Sequence, residues 1–455
     1  MMSEFRRSSF IIHRLSFMLD PTPHLERFEA YQRACREFLW LIPDSFNIAD
    51  AILSRHSDAV TRVALVEKRP GGLNTYTYGG LAYLSDKFAT ALSQQGVARG
   101  DSVAVVLPQS AASLIAQLGL LKLGAVVVLL SPALEASALE FALNDSRARA
   151  VIIHHTHHDK LASAVSSPAV VFVVNKLKAE FDDTAPDCDF WREVFEASAE
   201  FAFVETPANS PALVFYHPAA ECRLVRATHN HASLIHQLPA FSMSNNFQLG
   251  EDATFWTEQD WTSIDSSLCS VYPALWYGWR VLANESPANG SNAWSVIERC
   301  EVTNLFARPS ELDQLRHSSP RSTPTVELKL RRICCAGAVA ADVHDWASES
   351  LGASVDTVYC NAVFGSLAAS CGTWFEARAG SVGRAAPGYS ITILDERGSE
   401  LPPRSKGRVA IRRTDPPASV ELSPNQPNPA LVCEDFLITD QVGFKDEDGY
   451  LWLGS

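Results

Sequence analysis

Between Thr75 and Ile153, short β-branched runs alternate with helical segments, and this alternation restricts the fold class more than any other feature of the chain. Thr75–Tyr78 alternates as a short strand, after which Leu81, Leu84, Phe88 and Leu92 fall on one helical face. Gly96 and Gly100 punctuate the exit. Ser102–Leu107 is mostly β-branched and apolar, the composition of a strand buried on both faces. Ser110–Leu123 predicts a helix stopped by Gly124 at the C-cap. Ala125–Leu130 reads as strand, Leu134–Asn144 as helix and Ala150–Ile153 as strand again. Strand and helix in this order predict a parallel α/β layer with right-handed crossovers.

The middle of the chain repeats the theme less cleanly. Ala169–Val174, Ala212–Tyr216, Asn304–Ala307 and Val355–Tyr359 read as strands, with Ala293–Cys300 as a helix between them. After Gly383 the character changes to short alternating runs at Tyr389–Leu394, Arg408–Arg413 and Tyr450–Leu453, which predict a small β-rich subdomain. Thr414–Pro429 holds five prolines and reads as a surface loop.

Composition narrows the function classes. Of 455 residues, 47% are hydrophobic and 20% charged, enough apolar surface for a large core and too much for a disordered or collagen-like chain. The net charge of −14 repels phosphate backbones, so nucleic acid is not expected as a partner. Ten scattered cysteines with no C-x-x-C pair read as reduced, mostly buried thiols, which predicts a cytoplasmic chain. No apolar run approaches the ~20 residues that span a bilayer. Arg6, Arg7 and Arg14 among Phe10, Ile11 and Ile12 leave a transit peptide open, and a start at Met18 is the simpler reading.

Several familiar site motifs are missing: G-x-G-x-x-G, the Walker loop, G-x-S-x-G and H-E-x-x-H. His154, His155, His157 and His158 form the best metal candidate, but they are expected on a solvated loop, and no metal site is assigned.

Several strings, in order, resemble the large N-terminal domain of adenylate-forming enzymes of the acyl-CoA synthetase type, in the medium-chain or acetate-type branch. They run from Phe46-Asn47-Ile48-Ala49 through Gly100-Asp101-Ser102, Lys122-Leu123-Gly124-Ala125 and Phe255-Trp256-Thr257 with Asp260-Trp261. Gly383-Arg384-Ala385-Ala386-Pro387-Gly388 and Lys445-Asp446-Glu447-Asp448-Gly449-Tyr450 follow. The resemblance implies two parallel α/β subdomains plus a small β-rich one. Residues 1–45 are then an N-terminal extension, 46–380 the paired subdomains and 381–455 the β-rich part ending at a hinge, with the C-terminal catalytic domain absent. It also implies carboxylate activation by ATP and Mg²⁺ and transfer of the acyl group to a thiol such as coenzyme A.

Residue by residue, the implied site is altered. The family's hydroxyl- and glycine-rich phosphate loop is matched by His217-Pro218-Ala219-Ala220-Glu221-Cys222-Arg223-Leu224-Val225, with Val225 at the lysine position. Pro218 removes an N–H donor, and Glu221 sets negative charge where phosphates belong; Arg223 or Arg226 is the candidate for compensating charge. Downstream, His229 and His231 read as structural residues at a helix start. The Tyr-Gly-x-Thr-Glu string becomes Tyr359-Cys360-Asn361-Ala362-Val363, so Val363 stands for the magnesium-holding glutamate and Tyr359 for the adenine platform. The Gly-Gly-Glu-Ala loop becomes Gly337-Ala338-Val339-Ala340, and the ribose acid position holds Gln441, with Asp440 one residue early. Asp440 and Asp260 read otherwise as surface or capping acids, and Asp446-Glu447-Asp448 as a solvated turn. Trp256, Trp261, Trp276, Tyr277, Trp279, Phe364 and Gly365 are candidates for an acyl pocket, against the plainer reading of core aromatics.

Three functions remain open. The first is an inactive homologue acting as a binding or interaction module, with a carboxylic acid, an acyl-CoA or a protein as partner. The second is an active ligase with a rebuilt site or a separate C-terminal domain, and the third is ATP-independent acyl-thioester binding or transfer.

Overall fold

The computed structural model describes residues 27–163, 168–175, 187–218, 224–250, 253–286, 291–318, 328–413, 420–422, 432–433 and 435–454. Of the expected parallel layer, 102–106, 126–129 and 150–154 are the middle of an eight-stranded sheet, whereas the strand expected at Thr75–Tyr78 is Gly72–Thr77, an antiparallel edge strand of a second sheet. The order of the eight-stranded sheet is 420–422, 224–230, 211–218, 126–129, 102–106, 150–154, 170–174 and 187–189. From Pro211–Pro218 to Asp187–Asp189 the neighbours run parallel, while Leu224–Asn230 returns antiparallel to Pro211–Pro218. Along Ser102–Val106, Val103 and Val105 join the main core while Ala104 and Val106 join a second core on the other face. Both faces are covered, so the strand is written as a continuous apolar run.

A nine-stranded sheet forms the second layer, in the order 384–385, 365–369, 354–361, 332–336, 304–307, 254–257, 280–284, 63–69 and 72–77. Its centre is parallel and its edges are antiparallel. The third sheet is antiparallel and is built from 391–394, 407–412, 436–445, 432–433 and 451–453.

Helix Ala111–Leu123 is buried on every side, which explains its uniform hydrophobicity. Ser110 caps its start by accepting from Ser113 N, and Gly124 ends it in the left-handed region at φ +74°. Lys122, near its end, is held by Asp86 at 2.6 Å.

Polar side chains join the two parallel sheets near the ends of their strands. Gln109 Nε2 donates to Thr257 O at 2.8 Å, and its Oε1 accepts from Asn284 N at 3.1 Å. Glu67 is fully buried, accepts from Ala111 N at 2.8 Å and pairs with Arg69 at 2.9 Å. The extension before Phe46 is packed rather than loose where it is described. Within helix Arg27–Glu37, Tyr31 donates to Ala385 O at 3.0 Å, and Trp40 Nε1 donates to Gly388 O at 3.1 Å.

The fold corrects several expectations. Val420–Leu422, inside the stretch read as loop, is a strand on the edge of the eight-stranded sheet, paired with Ala227–His229. Unpaired donors and acceptors at that edge hold it despite the surrounding prolines. His229 lies in strand Leu224–Asn230 and His231 in the turn before helix Ser233–Ser244, so neither starts the helix. Asp446 is not solvated: it is 7% exposed and accepts from Arg378 Nη1 at 2.6 Å and Tyr450 N at 2.9 Å. Strand Val63–Arg69 was invisible in the sequence because Glu67 and Lys68 interrupt its apolar pattern.

Candidate functional site

Three segments far apart in sequence, one from each of the three sheets, form the candidate site. Strand Pro211–Pro218 brings His217, strand Ser354–Asn361 brings Tyr359 and Asn361, and strand Phe436–Lys445 brings Asp440. In the first, His217 is paired in register with Val225 and Pro218 with Leu224, so the two described ends of the matched phosphate segment lie antiparallel to each other. Ala219, Ala220, Glu221, Cys222 and Arg223 lie outside the described residues. Burial lowers the His217 pKa, with Asp440 opposing, and its Nδ1 is buried without a hydrogen-bond partner. Val225 is 4% exposed, and its side chain packs inward. Arg226 lies on strand Leu224–Asn230. It is held by Asp145, with Nη1 at 3.2 Å from Oδ2, while Tyr216 donates to the same carboxylate at 2.6 Å.

Asn361 organises the second segment. Its Oδ1 accepts from Val363 N at 2.9 Å and Phe364 N at 3.1 Å, and its Nδ2 donates to Asp440 Oδ1 at 3.2 Å. That bond leaves Asp440, itself exposed, tied to the neighbouring sheet. Tyr359 is 2% exposed and donates to Thr439 Oγ1 at 3.3 Å, so its ring offers no open face to a purine. Burial raises its pKa. Gln441 donates its backbone N–H to the same Thr439 hydroxyl at 3.2 Å.

Val363, 5% exposed, packs in the main core, and Val339, 3% exposed, packs in the core on the far side of the nine-stranded sheet. Gly337 keeps a positive φ of +145°, and a Cβ there would stand 2.9 Å from Pro309 Cγ.

The proposed acyl-pocket aromatics are dispersed through the interior. Trp256 belongs to one core, while Trp261, Trp276, Trp279 and Phe364 belong to another; all five are buried, and Tyr277 packs partly buried at that second core's margin. Gly365, at φ +77°, has the Gln237 amide where its Cβ would be, so that space is filled. Gln237 Oε1 there accepts from Ser366 N at 2.7 Å.

Sequence reasoning passed over Glu258, the first residue after strand Thr254–Thr257. Its Oε1 is buried without a partner, and burial, with Glu311 adding repulsion, lifts its pKa to about 7. An acid placed directly after a parallel strand was the available signal, because such strand ends face the crevice between sheets. A carboxyl in this state gains and loses a proton near neutral pH.

The histidine cluster is dispersed among other partners. His154 Nε2 faces Glu285 Oε1 at 3.0 Å, and His158 Nε2 faces Asp187 Oδ2 at 3.0 Å. Among the described residues, no group of three or more His, Cys, Asp or Glu could hold a metal ion. Among them, too, no helix is long and apolar enough to cross a membrane.

Comparison with known proteins agrees with this fold. A model of the AMP-binding enzyme family matches residues 54–415. Mitochondrial acyl-coenzyme A synthetase ACSM3 of Homo sapiens is 23% identical over 460 residues, covering 94% of this chain and 74% of the relative. Acetyl-coenzyme A synthetase of Rubrobacter xylanophilus is 24% identical over 422 residues, covering 84% and 64%. An acyl-CoA synthetase crystal structure from Brucella canis superposes with a TM-score of 0.86 at 24% identity, covering 95% of this chain and 80% of that one. The anthranilate CoA ligase AuaEII, solved with anthranoyl-AMP, gives a TM-score of 0.79 at 18% identity, covering 90% and 78%. With the family pattern matched across most of its length and the same layered α/β architecture beneath it, the chain belongs to the AMP-binding enzymes and is acyl-CoA synthetase-like in fold.

Proposed function

We propose that this chain keeps the acyl-CoA synthetase-like fold without activating carboxylates through ATP, and acts as a binding or interaction module. The observation that carries this reading is the burial of Val363 in the main core, at the position the family resemblance gives to the magnesium-holding glutamate. Val339 and Val225 likewise put buried apolar side chains at the positions of a second acid and of the phosphate-loop lysine.

These residues do not fit a magnesium nucleotide. A divalent cation needs anionic oxygen ligands, and valine offers none. Loss of one charge-stabilising group in a transition state costs ~2–4 kcal/mol, so three together remove several powers of ten in rate. Tyr359 adds to this, since its ring is packed and its hydroxyl is bonded to Thr439. ATP and Mg²⁺ are therefore ligands of the family rather than of this chain. A carboxylic acid, an acyl-CoA or a protein remains as partner. Eight cysteines, Cys35, Cys188, Cys269, Cys300, Cys334, Cys335, Cys360 and Cys371, are free, which suits a reducing compartment such as the cytoplasm.

The test is calorimetric titration of the purified protein with Mg-ATP, followed by pyrophosphate exchange with a panel of carboxylic acids. No heat from ATP and no exchange is the expected result. Micromolar ATP binding, or exchange with any acid, overturns the reading and returns the chain to the active ligases.

A further inference from the structure

A cavity of about 290 Å³ opens between the end of helix Ile48–Leu53 and the end of helix Tyr272–Trp276. Its walls include Arg55, His56, Asp58, Arg62, Trp276 and Tyr277, and none of them belongs to the nucleotide-matched segments. We propose that this cavity is a binding site for a small oxyanion, a carboxylate or a phosphate. The inference is independent of the function proposed above.

Arg55 carries the argument. Its guanidinium lies 4.0 Å from the centroid of the Trp276 ring, and its Nη1 is buried with no hydrogen-bond partner. Burial lowers its pKa to about 10, which still leaves it charged at neutral pH. The groups that bear on it electrostatically are Tyr277 and Tyr78, and no carboxylate is among them. A guanidinium whose Nη1 is buried without an anion among the described residues bears a desolvation cost that an incoming oxyanion offsets.

Among the described residues, the other walls set no carboxylate against Arg55. Asp58 is engaged by Arg62 Nε, at 2.8 Å to Oδ1 and 3.0 Å to Oδ2. His56 is neutral at pH 7, because burial and the neighbouring Arg55 bring its pKa down to about 4. Its Nε2 lies 3.3 Å from Leu275 O, an arrangement in which the ring nitrogen donates to the carbonyl. Tyr277 shares a 2.8 Å hydrogen bond with Ser242 Oγ, which adds a fixed hydroxyl to the wall.

Gly278 makes the enclosure possible. It has φ +80°, and a Cβ there would stand 2.5 Å from Arg62 Nη1 and 3.0 Å from His56 Cε1. Any side chain at this position would push both residues away from the cavity. The planar fork of Arg55 suits two oxygens of one anion, and the cavity volume suits a small ligand.

The experiment titrates the full chain with inorganic phosphate and, separately, with acetate by calorimetry at fixed ionic strength. Two variants, Arg55→Met and Asp58→Asn, are titrated alongside. Saturable binding of at least one anion is expected, weakened about tenfold or more in Arg55→Met, the size of one charge-assisted hydrogen bond. Asp58→Asn removes an acid from the wall and is expected to tighten binding about threefold. Binding of phosphate alone assigns a phosphoryl ligand, binding of acetate alone assigns a carboxylate, and binding of both supports the oxyanion site. If neither anion saturates, or Arg55→Met binds as tightly as the parent chain, the proposal fails. Should Arg55→Met not fold, unchanged or weaker binding by Asp58→Asn overturns it instead.

Discussion

Asn361 Nδ2 donates to Asp440 Oδ1 across 3.2 Å, joining the last residue of a central strand in one sheet to a strand of another. With Tyr359 bonded to Thr439, the bond closes from within the place where the family resemblance sets the nucleotide. Tyr359 and Asn361 are bonded to Thr439 and Asp440, and valines in the core stand at two of the matched acid positions.

Reinstating the family's acid does not recover a site on this backbone. Val363→Glu puts a carboxylate where 5% of the side chain is exposed, and no cation among the described residues is bonded there. An unpaired buried charge costs about 3–5 kcal/mol. The carboxyl answers by raising its pKa, so the loss is greatest above that raised value and shrinks as the pH falls toward 4. Urea unfolding of Val363→Glu at pH 8 and pH 5 checks this; equal midpoints to the parent chain at pH 8 would refute it.

Glu258→Gln is expected to stabilise the protein at alkaline pH. The folded pKa is raised to about 7 from 4.5, so the folded state resists an ionisation that the unfolded chain undergoes freely. Stability therefore falls as the pH rises from about 4.5 to 7, and the penalty is complete above 7. Glutamine carries no charge and removes it. Because the group is partly solvated, the gain is modest: a melting temperature about 2–4 °C higher at pH 8 and little change at pH 4. A lower melting temperature at pH 8 would place the ionised carboxylate in a favourable contact instead.

Trp261 separates core from pocket. It is 1% exposed within the main core, so Trp261→Ala should lose about 3–5 kcal/mol by chemical denaturation. The wall of an open acyl cleft would lose far less, because solvent already faces one side of it. A cost below about 1 kcal/mol would return Trp261 to the list of acyl contacts.

The parallel layer was legible in the bare sequence because each strand buried on both faces is a short β-branched run. Val103 through Val106 and Val126 through Leu129 need no distant partner to be recognised. Helix Ala111–Leu123 announced its own ends through Ser110 and Gly124, since capping is local chemistry. The order of the matched strings carried the family in the same way. Folding alone decided what depends on partners remote in the chain. Glu67 reads as an exposed acid until Ala111 and Arg69 enclose it, and Val420–Leu422 is a strand only because the edge beside Ala227–His229 is free to pair. The sequence showed that Val363 and Val339 were no longer acids. That they sit inside two separate cores is a matter of packing, because burial is a property of all the surfaces that meet at a residue and of none taken singly.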